Sequence, residues 1–232
     1  MHRPRARLAG ALFLVLSCPV LAGPNAASIL FEAPALAGVP TGTALIYRLG
    51  RTAAGSGAGA HDGGPGPLPS ISTVELSLNL DAETGGREAK IEIVTGERRQ
   101  TAGSFPSVVG NPVLLVLLER DVGEMSRSLH GSPYYIRNRI REALGETTLA
   151  EPARMTFGGR EVEGWRVSVT PFAQDRNRDK LREYAAKRYE FLLSDAVPGS
   201  LYEVRMMTPG TDGAALVEDR LAFEQALRRE GQ

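Results

Sequence analysis

From Ser72 to Asp81 the chain alternates. Val74, Leu76, Leu78 and Leu80 fall on one side of an extended backbone, and Thr73, Glu75, Ser77, Asn79 and Asp81 on the other, which is the pattern of a half-buried strand. Glu83-Thr84-Gly85-Gly86 then supplies a turn, and Ala89, Ile91 and Ile93 give a return strand its own apolar side. The period recurs downstream. Trp165, Val167 and Val169 alternate with Arg166, Ser168 and Thr170, and Tyr189, Phe191 and Leu193 with Arg188, Glu190 and Leu192. Thr43 to Leu49, Leu201 to Thr208 and Leu216 to Phe223 complete the strands, with a turn between Asp195 and Gly199. One apolar side per strand predicts an antiparallel sheet with one wet face.

Residues 111 to 144 break the period. Asn111 and Pro112 make a helix start, Val113 to Leu118 is apolar all round, and Val122, Met125 and Leu129 carry one stripe onward. Gly131 is expected to end this helix and Ser132-Pro133 to open a second, with Ile136, Ile140, Ala143 and Leu144 on one face. The predicted class is α+β: an antiparallel sheet of about seven to nine strands with a helical hairpin packed on its apolar face.

The flanks read differently. Arg3, Arg5 and Arg7 precede the apolar run Leu8 to Leu16, and Val20-Leu21-Ala22 precedes Gly23, as in a secretory signal cut between Ala22 and Gly23. That run is too short to span a bilayer, so the expected location is the periplasm. Cys18, the only cysteine, leaves an alternative. Val15-Leu16-Ser17-Cys18 loosely resembles the site at which bacterial lipoproteins are cut and acylated, with departures at Val15 and Pro19. Residues 23–42 are rich in alanine and proline and read as a tether pinned by Ile29-Leu30-Phe31. Residues 51–70, dense in glycine and proline, read as a flexible loop that cannot offset its ordering entropy. A single domain is expected over 43–225 and a tail over 226–232.

Charge and chemistry narrow the function by exclusion. Without Arg3, Arg5 and Arg7 the 27 basic residues become 24 against 27 acidic, which argues against nucleic acid as a partner. Beyond the signal, His61 and His130 stand apart with no spaced cysteine, so no histidine metal site is expected. Asp175-x-Asn177-x-Asp179 opens like a calcium loop, but Lys180 replaces the turn glycine and Ala186 the closing glutamate, so a solvated turn is the better reading. Arg137, Arg139 and Arg141 read as a polar helix face, with lipid head groups or an acidic partner as the alternative. No catalytic motif is present, and neither a catalytic residue nor a cofactor is assigned.

Several segments carry a resemblance. Ala44-Leu45-Ile46-Tyr47-Arg48-Leu49, the Asn111-Pro112 helix start, Gly164 to Val169 leading to Pro171-Phe172, Leu193-Ser194-Asp195 with Val197-Pro198-Gly199, and Ala222-Phe223-Glu224 resemble uncharacterised proteobacterial periplasmic proteins related to the lipoprotein carriers LolA and LolB. The resemblance implies a half-barrel sheet curved around an apolar concavity, which in the carriers holds acyl chains. Two non-catalytic functions follow as expectations, beside a third, an enzyme, which would need a cluster of converging carboxylates that no motif here supplies. The first is a periplasmic carrier of an apolar or lipid ligand, with Leu76, Leu78, Ile91, Ile93, Leu114, Leu118, Trp165 and Phe191 as its walls. The second is a non-catalytic structural or adaptor protein of the cell envelope, in which the same residues are a closed core and a protein partner binds an edge strand or the arginine helix. An empty or a filled interior discriminates between them.

Overall fold

The computed structural model describes residues 23–53, 71–81, 83–106, 109–145, 148–209 and 216–229. The signal segment with Cys18 and Ala22, and the loop from residue 54 to 70 with His61, lie outside them. Nine strands form one antiparallel sheet: β1 (Thr43–Ala53), β2 (Ile71–Leu80), β3 (Arg87–Thr95), β4 (Arg98–Pro106), β5 (Glu151–Phe157), β6 (Arg160–Val169), β7 (Arg188–Leu193), β8 (Leu201–Pro209) and β9 (Leu216–Arg228). Their spatial order is β4-β3-β2-β1-β9-β8-β7-β6-β5. The chain thus starts at the centre and steps outward to one edge. It crosses to the other edge through α1 (Val113–Leu129) and α2 (Pro133–Ala143), then steps inward until β9 closes against β1. This is the α+β sheet with a helical hairpin that the periodicity predicts.

The sheet is open but strongly curled. β5 and β9 are separated by three strands, yet the rings of Phe157 and Phe223 lie 5.8 Å apart. Tyr202 of β8 also donates to the Thr156 carbonyl at 3.1 Å. Only Trp165 to Val169 of β6 pair with β7. The outer half of the β5–β6 hairpin therefore projects past β7 and folds over toward β8 and β9. Gly164 sits at the bend, where a Cβ would lie 2.0 Å from the Leu193 carbonyl oxygen.

Local chemistry accounts for the helices. Asn111 caps α1 by accepting from the Val113 amide at 3.1 Å, while its amide group donates to Tyr47 Oη and to the Gly199 carbonyl, each at 2.9 Å. Ser132 accepts from Tyr135 N–H at the start of α2, and Ile136, Ile140 and Leu144 are buried, as expected. The left-handed residue that ends α1 is His130 (φ 50°), and the next amide, Gly131, returns to Ser126. Gly131 was the expected stop, so the break falls one residue earlier.

Three expectations change in detail. β1 runs on through Gly50 to Ala53, because Arg51 pairs with Asp219 of β9, and β9 takes in Ala226 to Arg228 of the expected tail. Residues 23–42 are more than a pinned tether. Ala26, Leu30, Leu36 and Val39 are buried in the main core, and Arg87 donates to the carbonyls of Leu36, Ala37 and Val39. Leu80, expected on the apolar side of β2, is 61% exposed at the strand's end.

Candidate functional site

The eight expected wall residues do converge. Leu76, Leu78, Ile91, Leu114 and Phe191 have no exposed surface, and Ile93, Leu118 and Trp165 are partly buried against the same cluster. Zero exposure means that no water-sized void borders those five side chains, as expected of an interior packed near crystal density. The sheet's apolar face is filled by α1, which seats Val113, Leu114, Leu117, Val122 and Met125 against it.

Charge also enters this interface. Asp121, on the buried stripe of α1, accepts from Lys187 at 2.5 Å and from Tyr189 Oη at 2.6 Å. All three side chains are almost wholly buried, and Lys187 also lies over the rings of Tyr184 and Tyr189. Burial, with the Asp121 carboxylate beside it, pushes the Tyr189 hydroxyl well above its ordinary pKa. Beside this group Arg51 holds Asp219 through two bonds of 2.6 and 2.8 Å and reaches Glu124 at 2.7 Å. Burial alone would raise the Glu124 carboxyl, but the bond and charge of Arg51 outweigh it and leave it below the usual range. Arg120 completes the lining and makes no ion pair among the described residues. The cavity between these groups is about 10 Å³, roughly room for one water molecule.

These carboxylates converge as an enzyme's would, yet no sequence motif announces them. The groups of this cluster come from β1, α1, β7 and β9, far apart in the chain. One local signal was available: Leu117, Asp121 and Met125 follow one another at four-residue spacing, so an acid interrupts an apolar stripe. Lys187, just before β7, neutralises Asp121, Arg51 of β1 serves both Asp219 and Glu124, and the space is too small for a substrate. The arrangement ties α1 to β1, β7 and β9.

Open space lies elsewhere. A surface groove of about 910 Å³ runs beside the β5 edge, lined by Pro152, Ala153 and Arg154, by Val162 to Trp165, and by Ser194 to Ala196 of the turn after β7. Trp165 is the one expected wall residue that borders it. Ser194 donates to the Glu163 carbonyl at 2.6 Å and fixes that turn to β6. Gly23 packs beside Trp165: a Cβ there would lie 1.9 Å from the Ala150 carbonyl oxygen and 3.3 Å from the indole. Pro24 and Ala26 pair with Ala150 and Thr148, so the first described residues form a short ladder leading onto β5.

The remaining candidates are engaged within the chain. Asp175 accepts from Tyr135 Oη at 2.5 Å, from the Asn177 amide at 2.6 Å and from Arg139 at 2.8 Å. Burial would raise its pKa, but these donors and the Arg139 charge hold it below the usual range. Its oxygens thus serve the turn and α2. Among the described residues, no group of three or more His, Cys, Asp or Glu could hold a metal ion. Arg137 is bound at two points to Glu119, and Arg139 to Asp175 and Glu142, which leaves Arg141 as the exposed member of that trio. No helix among the described residues is long and apolar enough to cross a membrane. No protein-family model matches the chain, and no curated protein is significantly similar to it.

Proposed function

We propose that this chain works outside the cytoplasm as a non-catalytic adaptor of the cell envelope, on a LolA-like half-barrel whose interior serves as a core. The observation that carries this reading is the closed interior: five of the eight candidate wall residues have no exposed surface. An acyl chain could enter only if α1 left the sheet. That would uncover Val113, Leu114, Leu117, Val122 and Met125, at about 1.5–3 kcal/mol each, and separate Asp121 from Lys187. A carrier of this build would need its ligand to offset on the order of 10 kcal/mol. The groove beside β5 asks for no such opening. Its half-buried Trp165, apolar Pro152 and Val162, and charged Arg154 and Asp195 suit an extended protein segment better than an acyl tail. Cleavage after Ala22 would leave Gly23 as a new N-terminus beside Trp165.

The test is native mass spectrometry of the protein isolated from its own host, followed by solvent extraction. A bare chain beginning at Gly23 is expected. A lipid that co-purifies stoichiometrically in repeated preparations would overturn the adaptor reading, and an acylated Cys18 would replace the soluble form by a lipoprotein. Trp165 is the only tryptophan, so its emission reads groove occupancy directly. A long-chain fatty acid should leave that emission unchanged.

A further inference from the structure

The face of the sheet that carries no helix is built as a layer of guanidinium groups over sunken carboxylates. Glu203 of β8 is clamped by Arg205 and Arg220, and Glu75 of β2 by Arg99 and Arg229. Glu190 of β7 pairs with Arg188 at 3.3 Å and stands 3.8 Å from Arg166. Arg48 pairs with Glu224, and Glu92 of β3 is held by Lys90 at 3.2 Å and by the same Arg99 at 2.6 Å. In every pair the cation is outermost. The eight cations have side-chain exposures of 40–58%, the five carboxylates named here 2–36%.

The register adds a second observation. Arg205 and Arg220 are directly opposed on β8 and β9, a like-charge juxtaposition that disfavours strand pairing. Glu203 relieves it from beneath, and both guanidiniums stay at the surface. Arg99 serves both Glu75 and Glu92, and Arg205 also stands 3.7 Å from Glu218, so the eight cations face six carboxylates and keep two net positive charges, with several N–H donors that the carboxylates do not use.

We propose that this bare face is a docking surface for an anionic phospholipid bilayer. Arg48, Arg220, Arg205, Arg188 and Arg166 lie on five consecutive strands from β1 to β6, spanning roughly 20 Å at about 4.8 Å per strand. An acidic peptide would meet one line of such an array. Lipid phosphates diffuse sideways and gather around the arginines that the crest of the curled face presents, and guanidinium matches phosphate in its two-point geometry. The inference is independent of the groove, because vesicle binding reads the bare face alone.

The test is flotation of the exported chain, which begins at Gly23 and so lacks Arg3, Arg5 and Arg7, with vesicles of phosphatidylcholine, with and without phosphatidylglycerol. Binding is expected only with the anionic lipid and should disappear near 1 M salt, where charge acts over about 3 Å. Arg205→Gln with Arg220→Gln should weaken it about tenfold or more. The triple variant that adds Glu203→Gln removes the clamp without orphaning its carboxylate; it loses one net positive charge where the double variant loses two, so it should stay folded and weaken binding by a smaller factor, about fivefold. Arg205→Lys with Arg220→Lys should retain most of it. Arg141→Gln, on the helix side, should bind as the parent does. Equal binding to both vesicle types, parental binding by a folded triple variant, or capture of acidic polypeptides but not of anionic vesicles would each overturn the proposal.

Discussion

One sheet carries two unlike faces, and the same residue types behave differently on them. On the covered face, Asp121, Lys187 and Asp219 lie inside the protein, and each finds its partner there. On the bare face the carboxylates sink and the arginines stand in water. Solvent makes the difference. A buried charge that loses its partner keeps its whole desolvation penalty, whereas an exposed pair exchanges protein contacts for water at little cost. The covered charges therefore fix where α1 sits, and the bare ones are free to meet something else.

The sharpest way to break this comparison is to remove Asp121. Asp121→Ala leaves Lys187 buried without a counter-charge and should cost about 3–5 kcal/mol in urea unfolding. Asp121→Leu with Lys187→Met should recover most of that loss. Arg205→Gln on the bare face should cost about 1 kcal/mol or less. Equal costs on the two faces would mean that α1 is not held by its buried charges.

Next in size is the helix stripe. Leu114 has no exposed surface while its neighbour Leu115 is 45% exposed. Leu114→Ala should cost about 2–5 kcal/mol through lost burial and a residual cavity, and Leu115→Ala within about 0.5 kcal/mol of nothing. Conversely, if Leu114→Ala is nearly neutral, α1 is loosely seated and a ligand can displace it, which restores the carrier reading.

The same contrast decides what was legible in the sequence. The inner strands announce themselves because residues such as Leu76 and Leu78, or Val167 and Val169, alternate between a buried side and a wet one. The two strands that the periodicity missed, β4 and β5, are the two edges of the sheet. In Arg98 to Pro106 the apolar content is Ala102 and Phe105, both only partly buried. Glu151 to Phe157 holds Pro152 and buries Ala153 and Met155, because the hairpin folds over. Edge strands bury less and alternate less. The apolar interior was legible, since all eight wall residues join one cluster. Its filling was not, because whether a helix seats fully on a sheet depends on shape and not on pattern. The charged cluster under α1 was hidden for another reason: residues 51, 121, 187 and 219 become neighbours only after four elements assemble.

Acid should act on the covered side and also on the bare face, where Arg99 and Lys90 hold Glu92 below its ordinary range. Glu124 and Asp175 both titrate below their ordinary range in the folded chain. A carboxyl lowered by folding adds stability above its unfolded value, about 4, and that stability is lost as the pH falls through the folded value. Urea midpoints should thus hold from neutral pH to about 5 and fall below it. Glu124→Gln or Asp175→Asn should each flatten that fall. A fall that either variant leaves unchanged would place the acid-sensitive carboxylates on the bare face instead.

The smallest effect belongs to the pair that most resembles free solution. Arg154 and Glu161 approach to 3.3 Å across the β5–β6 hairpin, yet their side chains are 70% and 68% exposed. Water competes for both, and two long side chains lose freedom in meeting, so Glu161→Gln should change stability by about 0.5 kcal/mol or less. Arg154 also lines the groove, and releasing it from Glu161 leaves its guanidinium free for an incoming segment. Neutralising Glu161 should therefore leave the urea midpoint in place and tighten the binding of an acidic partner at the groove. A shift in the midpoint as large as that of Leu114→Ala would show that the folded-over hairpin depends on this pair, and that exposure alone does not separate structural charges from available ones.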